Sequence, residues 1–138
     1  MIRSLALSKE ISVVVVNEIG ALSKMTSFLV NHGINVEAIA GYSNTIGDQA
    51  GIMFITNDNV AAIEALTVSG YTDTKENDVI IVELENAPGA LKNISERLAQ
   101  KDINITYIYC TTCMGGCPAK IILSTSDNMM AFGILNPQ

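Results

Sequence analysis

The hexad NEIGAL at residues 17–22 returns as NAPGAL at residues 86–91, and the 69-residue offset holds well beyond the hexad. With that offset residues 11–69 align to 80–138 without a gap, and 18 of the 59 pairs are identical. Asn17, Gly20, Ala21 and Leu22 meet Asn86, Gly89, Ala90 and Leu91. Ile34 and Asn35 meet Ile103 and Asn104, and Thr56, Asp58 and Asn59 meet Thr125, Asp127 and Asn128. A repeat this regular is two copies of one supersecondary unit. In a chain of 138 residues each copy alone is marginal, because small units bury too little of their surface. The copies are therefore expected to pack together or with another subunit.

The repeat also organises the local signals. Ile11–Val16 is a β-branched run that reads as a buried strand, and Val79–Glu85 is its copy. After each hexad, Leu22, Met25 and Leu29, and then Leu91, Ile94 and Leu98, recur on one helical face. Pro88 suits the entry to the second of these helices, and Gly33 the end of the first. Val36, Ala38 and Ala40, like Ile105, Tyr107 and Tyr109, alternate as strands do. A Gly- and Asn-rich stretch, SNTIGDQ, then turns the first of them into GIMFIT as a hairpin. Asp58 and Asp127 are expected N-caps. Val60, Ile63 and Leu66 are expected on one face of the next helix, with Met129, Phe132 and Leu135 as their copies. Gly70 ends the first of these helices, and Tyr71–Lys75 can form a last strand. The order β-α-β-β-α-β is the split βαβ, or ferredoxin-like, unit of α+β proteins. On this register the first unit covers 1–76 and the second 77–138, and the second has no last strand. That leaves the VIIV run at 79–82 with a bare edge, which invites pairing with another chain. The cover is expected from the segment Ile2–Leu7, where Leu5 and Leu7 alternate with small residues, or from the matching edge of a second subunit, unless Glu83 and Glu85 blunt the edge by repulsion.

Composition removes several functions. Nearly half the residues are apolar, which excludes a disordered chain. The net charge of −6, with eight basic residues, argues against nucleic acid and against anionic membrane surfaces. No apolar run approaches the ~18 residues of a membrane span, and MIRSLALSKE lacks the apolar stretch of a signal peptide. A cytoplasmic location is expected.

The hexads are the candidate binding elements. A loop that leaves a strand and enters a helix sets backbone N–H groups at the positive end of a helix dipole. Gly20 and Gly89 allow a left-handed backbone or a close approach by a ligand. Asn17 and Asn86 can donate and accept at once. These groups suit a zwitterion, although a turn-forming Gly and a loop-capping Asn explain the same residues without any ligand.

In the strand, the N-x-(P)-G-x-L loop, the helix and the following strand that opens on Ile-Asn, each half resembles the ACT domain. ACT domains are small βαββαβ regulatory modules, usually found on enzymes of amino-acid metabolism. The resemblance spans residues 11–76 and 79–138 and implies a tandem, stand-alone ACT protein without catalytic residues. It also implies an amino-acid ligand between paired units. The ligand-binding residues carried over are Asn17, Ile19, Gly20, Ala21, Leu22 and Asn35, and Asn86, Pro88, Gly89, Ala90, Leu91 and Asn104, the strand Asn coming from the neighbouring unit. Ile19 stands where the family usually has Pro. Val15 and Leu84 stand where serine-binding members have His, so serine is not supported. A homodimer and a partner enzyme of amino-acid metabolism are the implied partners, and no cofactor is expected.

All three cysteines, Cys110, Cys113 and Cys117, fall in CTTCMGGC, in the hairpin of the second copy. The spacing could supply three thiolates to a soft metal or an iron–sulfur cluster. A closed zinc site wants a fourth ligand, and the only His, His32, is in the other copy. The competing expectation is two buried strand thiols and one at the tip, all reduced in a cytosol. A metal- or redox-responsive protein is thus the alternative to the amino-acid sensor. Catalysis has little support: the first loop lacks the Arg that an acylphosphatase needs for phosphate, and no nucleophile–base pair stands out.

Overall fold

The computed structural model describes residues 1–43 and 46–136. Asn44, which the repeat sets opposite Cys113, lies outside the described residues, as does the closing Gln138. Six strands and four helices are described: β1 (Ile2–Val16), α1 (Ala21–Asn31), β2 (Val36–Tyr42), β3 (Gln49–Thr56), α2 (Asn59–Val68), β4 (Thr74–Leu84), α3 (Ala90–Ala99), β5 (Ile105–Thr111), β6 (Ala119–Thr125) and α4 (Asn128–Leu135). They form two compact units, one of residues 9–77 and one of residues 1–8 with 78–138. Each is a ferredoxin-like α+β unit.

In the unit of residues 9–77, antiparallel strands run in the order β2-β3-β1. Ile11 pairs with Phe54, and Val13 with Ile52. Ile39 pairs with Phe54 on its other side. Beyond β1 comes the approach to β4, where Val14 N–H donates to the Asp73 carbonyl at 3.0 Å. The Asn77 amide donates to the Ser12 hydroxyl at 3.0 Å. Ile11, Val13, Ile52 and Phe54 meet Met25 and Leu29 of α1 and Ala62 and Leu66 of α2 in one core.

The unit of residues 1–8 and 78–138 repeats this plan with β5-β6-β4. Ile80 pairs with Leu123 and Val82 with Ile121, while Ile108 pairs with Leu123 across the hairpin. No strand is described after α4. Its place on the β4 edge goes to the start of the chain: Glu85 N–H donates to the Met1 carbonyl at 2.8 Å. Ile2 and Leu5 pack on the core of this unit, and Leu7 is exposed. Residues 1–8 stand one repeat length before residues 70–77, so they fill in the second unit the position that 70–77 fill in the first.

Three expectations change. The runs 11–16 and 79–85 are parts of longer strands, and the separate strand foreseen at 71–75 merges into β4. Neither 2–16 nor 74–84 contains a Gly or Pro to break it. On α2 the buried residues are Ala62, Ala65 and Leu66, while Val60 is 67% exposed. On α4, Ala131 and Leu135 are buried and Met129 is exposed. Both helices are apolar nearly all round, so periodicity could not single out the inner face. Finally, Leu22 and Leu91 leave the core faces of α1 and α3 at 50% and 47% exposure.

The last strand of each hairpin is locked to the next helix by the same side chains. Asp58 caps α2 by accepting from Ala61 N–H at 3.0 Å, and Asp127 caps α4 by accepting from Met130 N–H at 3.0 Å. Thr56 donates its hydroxyl to Asn59 Oδ1 at 2.8 Å, as Thr125 does to Asn128 Oδ1. Among the described residues no helix is long and apolar enough to cross a membrane.

Candidate functional site

Each hexad closes a cleft at the N-terminus of its helix. Gly20 (φ +85°) is the residue before α1, and Gly89 (φ +86°) is the residue before α3. This left-handed backbone strains any residue with a Cβ. A glycine here also leaves the helix without a side-chain cap, and neither α1 nor α3 has one. The contrast with the Asp-capped α2 and α4 is sharp. The positive ends of α1 and α3 face solvent-accessible clefts with no acceptor of their own at the cap position.

The first cleft, about 530 Å³, lies between the hexad, the end of β2 and the start of β3. Asn17, Gly20, Ala21 and Leu22 line it on the helix side, and Val15, Ile39 and Ile52 form its apolar wall. Leu22 lies over this cleft, which is why it does not join the core. The backbone of Asn17 is pinned on both sides: its N–H donates to the Asp48 carbonyl at 2.7 Å, and its carbonyl accepts from Gly47 N–H at 2.8 Å. At the rim the Tyr42 ring lies against Gly51, where a Cβ would come within 2.8 Å of the ring. An adjoining cleft of about 490 Å³ on the other flank of α1 is lined by Lys24, Tyr71 and Asp73. Burial raises the Tyr71 phenol above its ordinary pKa.

The second cleft, about 260 Å³, is the repeat of the first and is lined by Asn86, Ala90, Leu91, Cys110 and Thr112. The Asn86 amide donates to the Thr112 hydroxyl at 3.0 Å, which ties the hexad to the hairpin loop.

The structure does not bring all the expected binding residues together. Asn35 and Asn104 line neither cleft. Each sits at the start of its strand, at the opposite end from the hexad of its own unit. There Asn35 N–H donates to Asn57 Oδ1 at 2.9 Å, and Asn104 N–H to the Ser126 hydroxyl at 3.1 Å. Ile19 is fully exposed, and neither it nor Pro88 lines a cleft. Residues that the hexad pattern did not single out, Ile39, Tyr42 and Gly51 in the first cleft and Thr112 in the second, do line them. They come from β2, β3 and the β5–β6 loop, and only the fold reveals their position.

The cysteines do not form a ligand set. Cys113 and Cys117 are joined as a disulfide, and Cys110 is a free, exposed thiol. Among the described residues no group of three or more His, Cys, Asp or Glu is arranged to hold a metal. The picture of two buried strand thiols is corrected: β5 ends at Thr111, so Cys113 and Cys117 both belong to the exposed loop. The loop sets their Cα atoms 5.4 Å apart, within bonding range. His32 is also a structural residue, with Nδ1 at 2.9 Å from the Phe28 carbonyl.

The fold is shared with several solved structures. A protein of Bacteroides thetaiotaomicron is 24% identical, with 95% of this chain and 88% of that one covered and a TM-score of 0.86. The regulatory subunit of aspartate kinase from Thermus thermophilus, in a ligand-free form, is 17% identical over 96% of this chain and 95% of that one, with a TM-score of 0.65. The corresponding subunit from Thermus flavus is 15% identical over 96% and 95%, with a TM-score of 0.62. No curated protein matches the chain in sequence. The family model described as an ACT domain pair matches residues 6–134, nearly the whole chain. By that match, with two ferredoxin-like units and their paired hexad clefts already in place, the chain belongs to the ACT domain pair family.

Proposed function

We propose that this protein is a non-catalytic regulatory module whose hexad clefts bind an α-amino acid. The observation that carries the reading is the uncapped N-terminus of α1 opening onto a cleft of about 530 Å³. A carboxylate placed there accepts from N–H groups of the first turn beyond Ala21, whose own N–H is bonded to the Glu18 carbonyl at 3.2 Å, and gains from the helix dipole. Oxygen atoms of Asn17 and Glu18 at the same end suit the ammonium group. The remaining wall, Val15, Leu22, Ile39 and Ile52, favours an aliphatic side chain over a charged one. The solved relatives described as regulatory subunits of aspartate kinase support a regulatory role and make an enzyme of amino-acid metabolism the proposed partner.

In this reading Asn35 and Asn104 act on the hexad of a neighbouring unit, and a homodimer supplies further neighbours. Both side chains are exposed at their strand starts, which suits that use. A cytoplasmic location fits the proposed partner. Calorimetric titration with the twenty amino acids tests the reading. Saturable heat with an aliphatic member, weakened in Asn17→Ala, is expected, and no heat with any of them would overturn it.

A further inference from the structure

We propose that the Cys113–Cys117 pair is a reversible thiol switch that governs whether Asn86 is available to the second cleft. Cys113 Sγ accepts from Gly115 N–H at 3.3 Å and from Cys117 N–H at 3.2 Å, so the five residues from 113 to 117 form a closed turn around one sulfur. That turn holds the Cys117 carbonyl 3.2 Å from the Thr112 hydroxyl, with the Cys113 carbonyl at 3.4 Å as a second acceptor. A hydroxyl has one proton to give and lone pairs to accept. With its proton directed to these carbonyls, Thr112 Oγ1 presents a lone pair, and the Asn86 amide donates to it at 3.0 Å. The disulfide thus reaches the hexad through two hydrogen bonds.

Reduction removes the covalent closure. A thiolate of a dithiol reductant attacks one sulfur of the pair, and the S–S bond breaks. The other cysteine leaves as a thiolate and takes up a proton. The second thiol of the reductant then resolves the mixed disulfide, releasing an oxidised dithiol and two cysteine thiols. The turn contains Gly115 and Gly116, the latter at φ +79°, so little else holds its shape once the crosslink is gone. The Cys117 carbonyl is then no longer kept beside Thr112, the hydroxyl is free to turn, and the Asn86 amide is released. Both cysteines are exposed, so a reductant can reach them.

The device is private to one copy. The first copy has Asn44 and Asp48 where the second has Cys113 and Cys117, and the Asp48 carbonyl bonds Asn17 through the backbone instead. The consequence for ligand binding rests on the proposed role of the hexads. The switch itself is read in the unliganded protein, so failure of one reading leaves the other standing.

The test is a nuclear magnetic resonance titration of the whole chain between dithiothreitol and its oxidised form. Reduction is expected to shift the side-chain amide signals of Asn86 and to speed amide exchange over residues 86–91 several-fold, with residues 17–22 unchanged. Re-oxidation should restore both. Cys113→Ser/Cys117→Ser should hold the reduced pattern under all conditions, and Thr112→Val should release Asn86 in the oxidised protein. Asn86 signals that ignore the redox state, or thiols that do not re-form the disulfide in the oxidised buffer, would overturn the proposal.

Discussion

The side-chain amide of Asn59 donates to the carbonyl of Lys9 at 3.1 Å, bridging the start of α2 to β1 across 50 residues of sequence. Asn128 makes the same bond to the Asp78 carbonyl at 2.9 Å, again across 50 residues. Each Asn also accepts from the backbone N–H and the hydroxyl of the Thr three residues earlier. Strand end, helix start and central strand are thus held at one side chain in both units. Replacing Asn59 or Asn128 by Ala should cost about 1–3 kcal/mol, because it removes three hydrogen bonds at once, each worth ~1 kcal/mol net. Urea unfolding measures it. Asn→Asp should also destabilise, since it keeps the acceptor and loses the donor.

Gly20 and Gly89 support a prediction with a cleaner physical cause. A Cβ at either position meets nothing within 4 Å, so Ala there creates no clash. The cost is the left-handed backbone alone, about 1–2 kcal/mol at each site. Asn, which tolerates that conformation, should cost less than Ala. Equal unfolding midpoints for the Gly20→Ala variant and the parent would contradict the assignment of this loop.

Removal of residues 1–8 should expose the β4 edge of the second unit and strip Ile2 and Leu5 from its core. Exposed apolar strand edges recruit other chains, so aggregation is expected along with a loss of stability. Thermal unfolding with light scattering tests this. Unchanged melting and scattering would show the segment to be a passive tail.

Reducing the Cys113–Cys117 bond should cost little stability. The closed loop spans five residues, and closure of so short a loop constrains the unfolded chain by only about 2 kcal/mol. A much larger drop in denaturant midpoint on reduction would mean that the hairpin is a folding staple.

The repeat was the most legible feature, because identical side chains at a fixed offset make identical local bonds. Asp58 and Asp127, one repeat apart, cap α2 and α4 as the sequence foretells, and Gly33 and Gly70 follow the ends of α1 and α2 in the first unit. Leu22 and Val60 leave their expected core faces for different reasons. Leu22 follows the core period, yet the first turn of α1 stands over the cleft. Val60 lies on a helix apolar on every side, where Ala62 and Ala65 fit the close approach to the core better than a larger side chain. The cleft residues Ile39, Gly51 and Thr112 were not legible, since their role depends on strand register and loop path. The Cys113–Cys117 bond was hidden for the same reason: spacing counts thiols but does not say which of them face each other.

The cleft at the start of α1 is the proposed amino-acid site. Thermal unfolding of the protein with each of the twenty amino acids tests it most directly, with Asn17→Ala as the paired control. An aliphatic amino acid at about 100 times its dissociation constant should add roughly 2.7 kcal/mol of stability, and the variant should lose most of that gain. Identical melting in all twenty, in both redox states, would contradict the account.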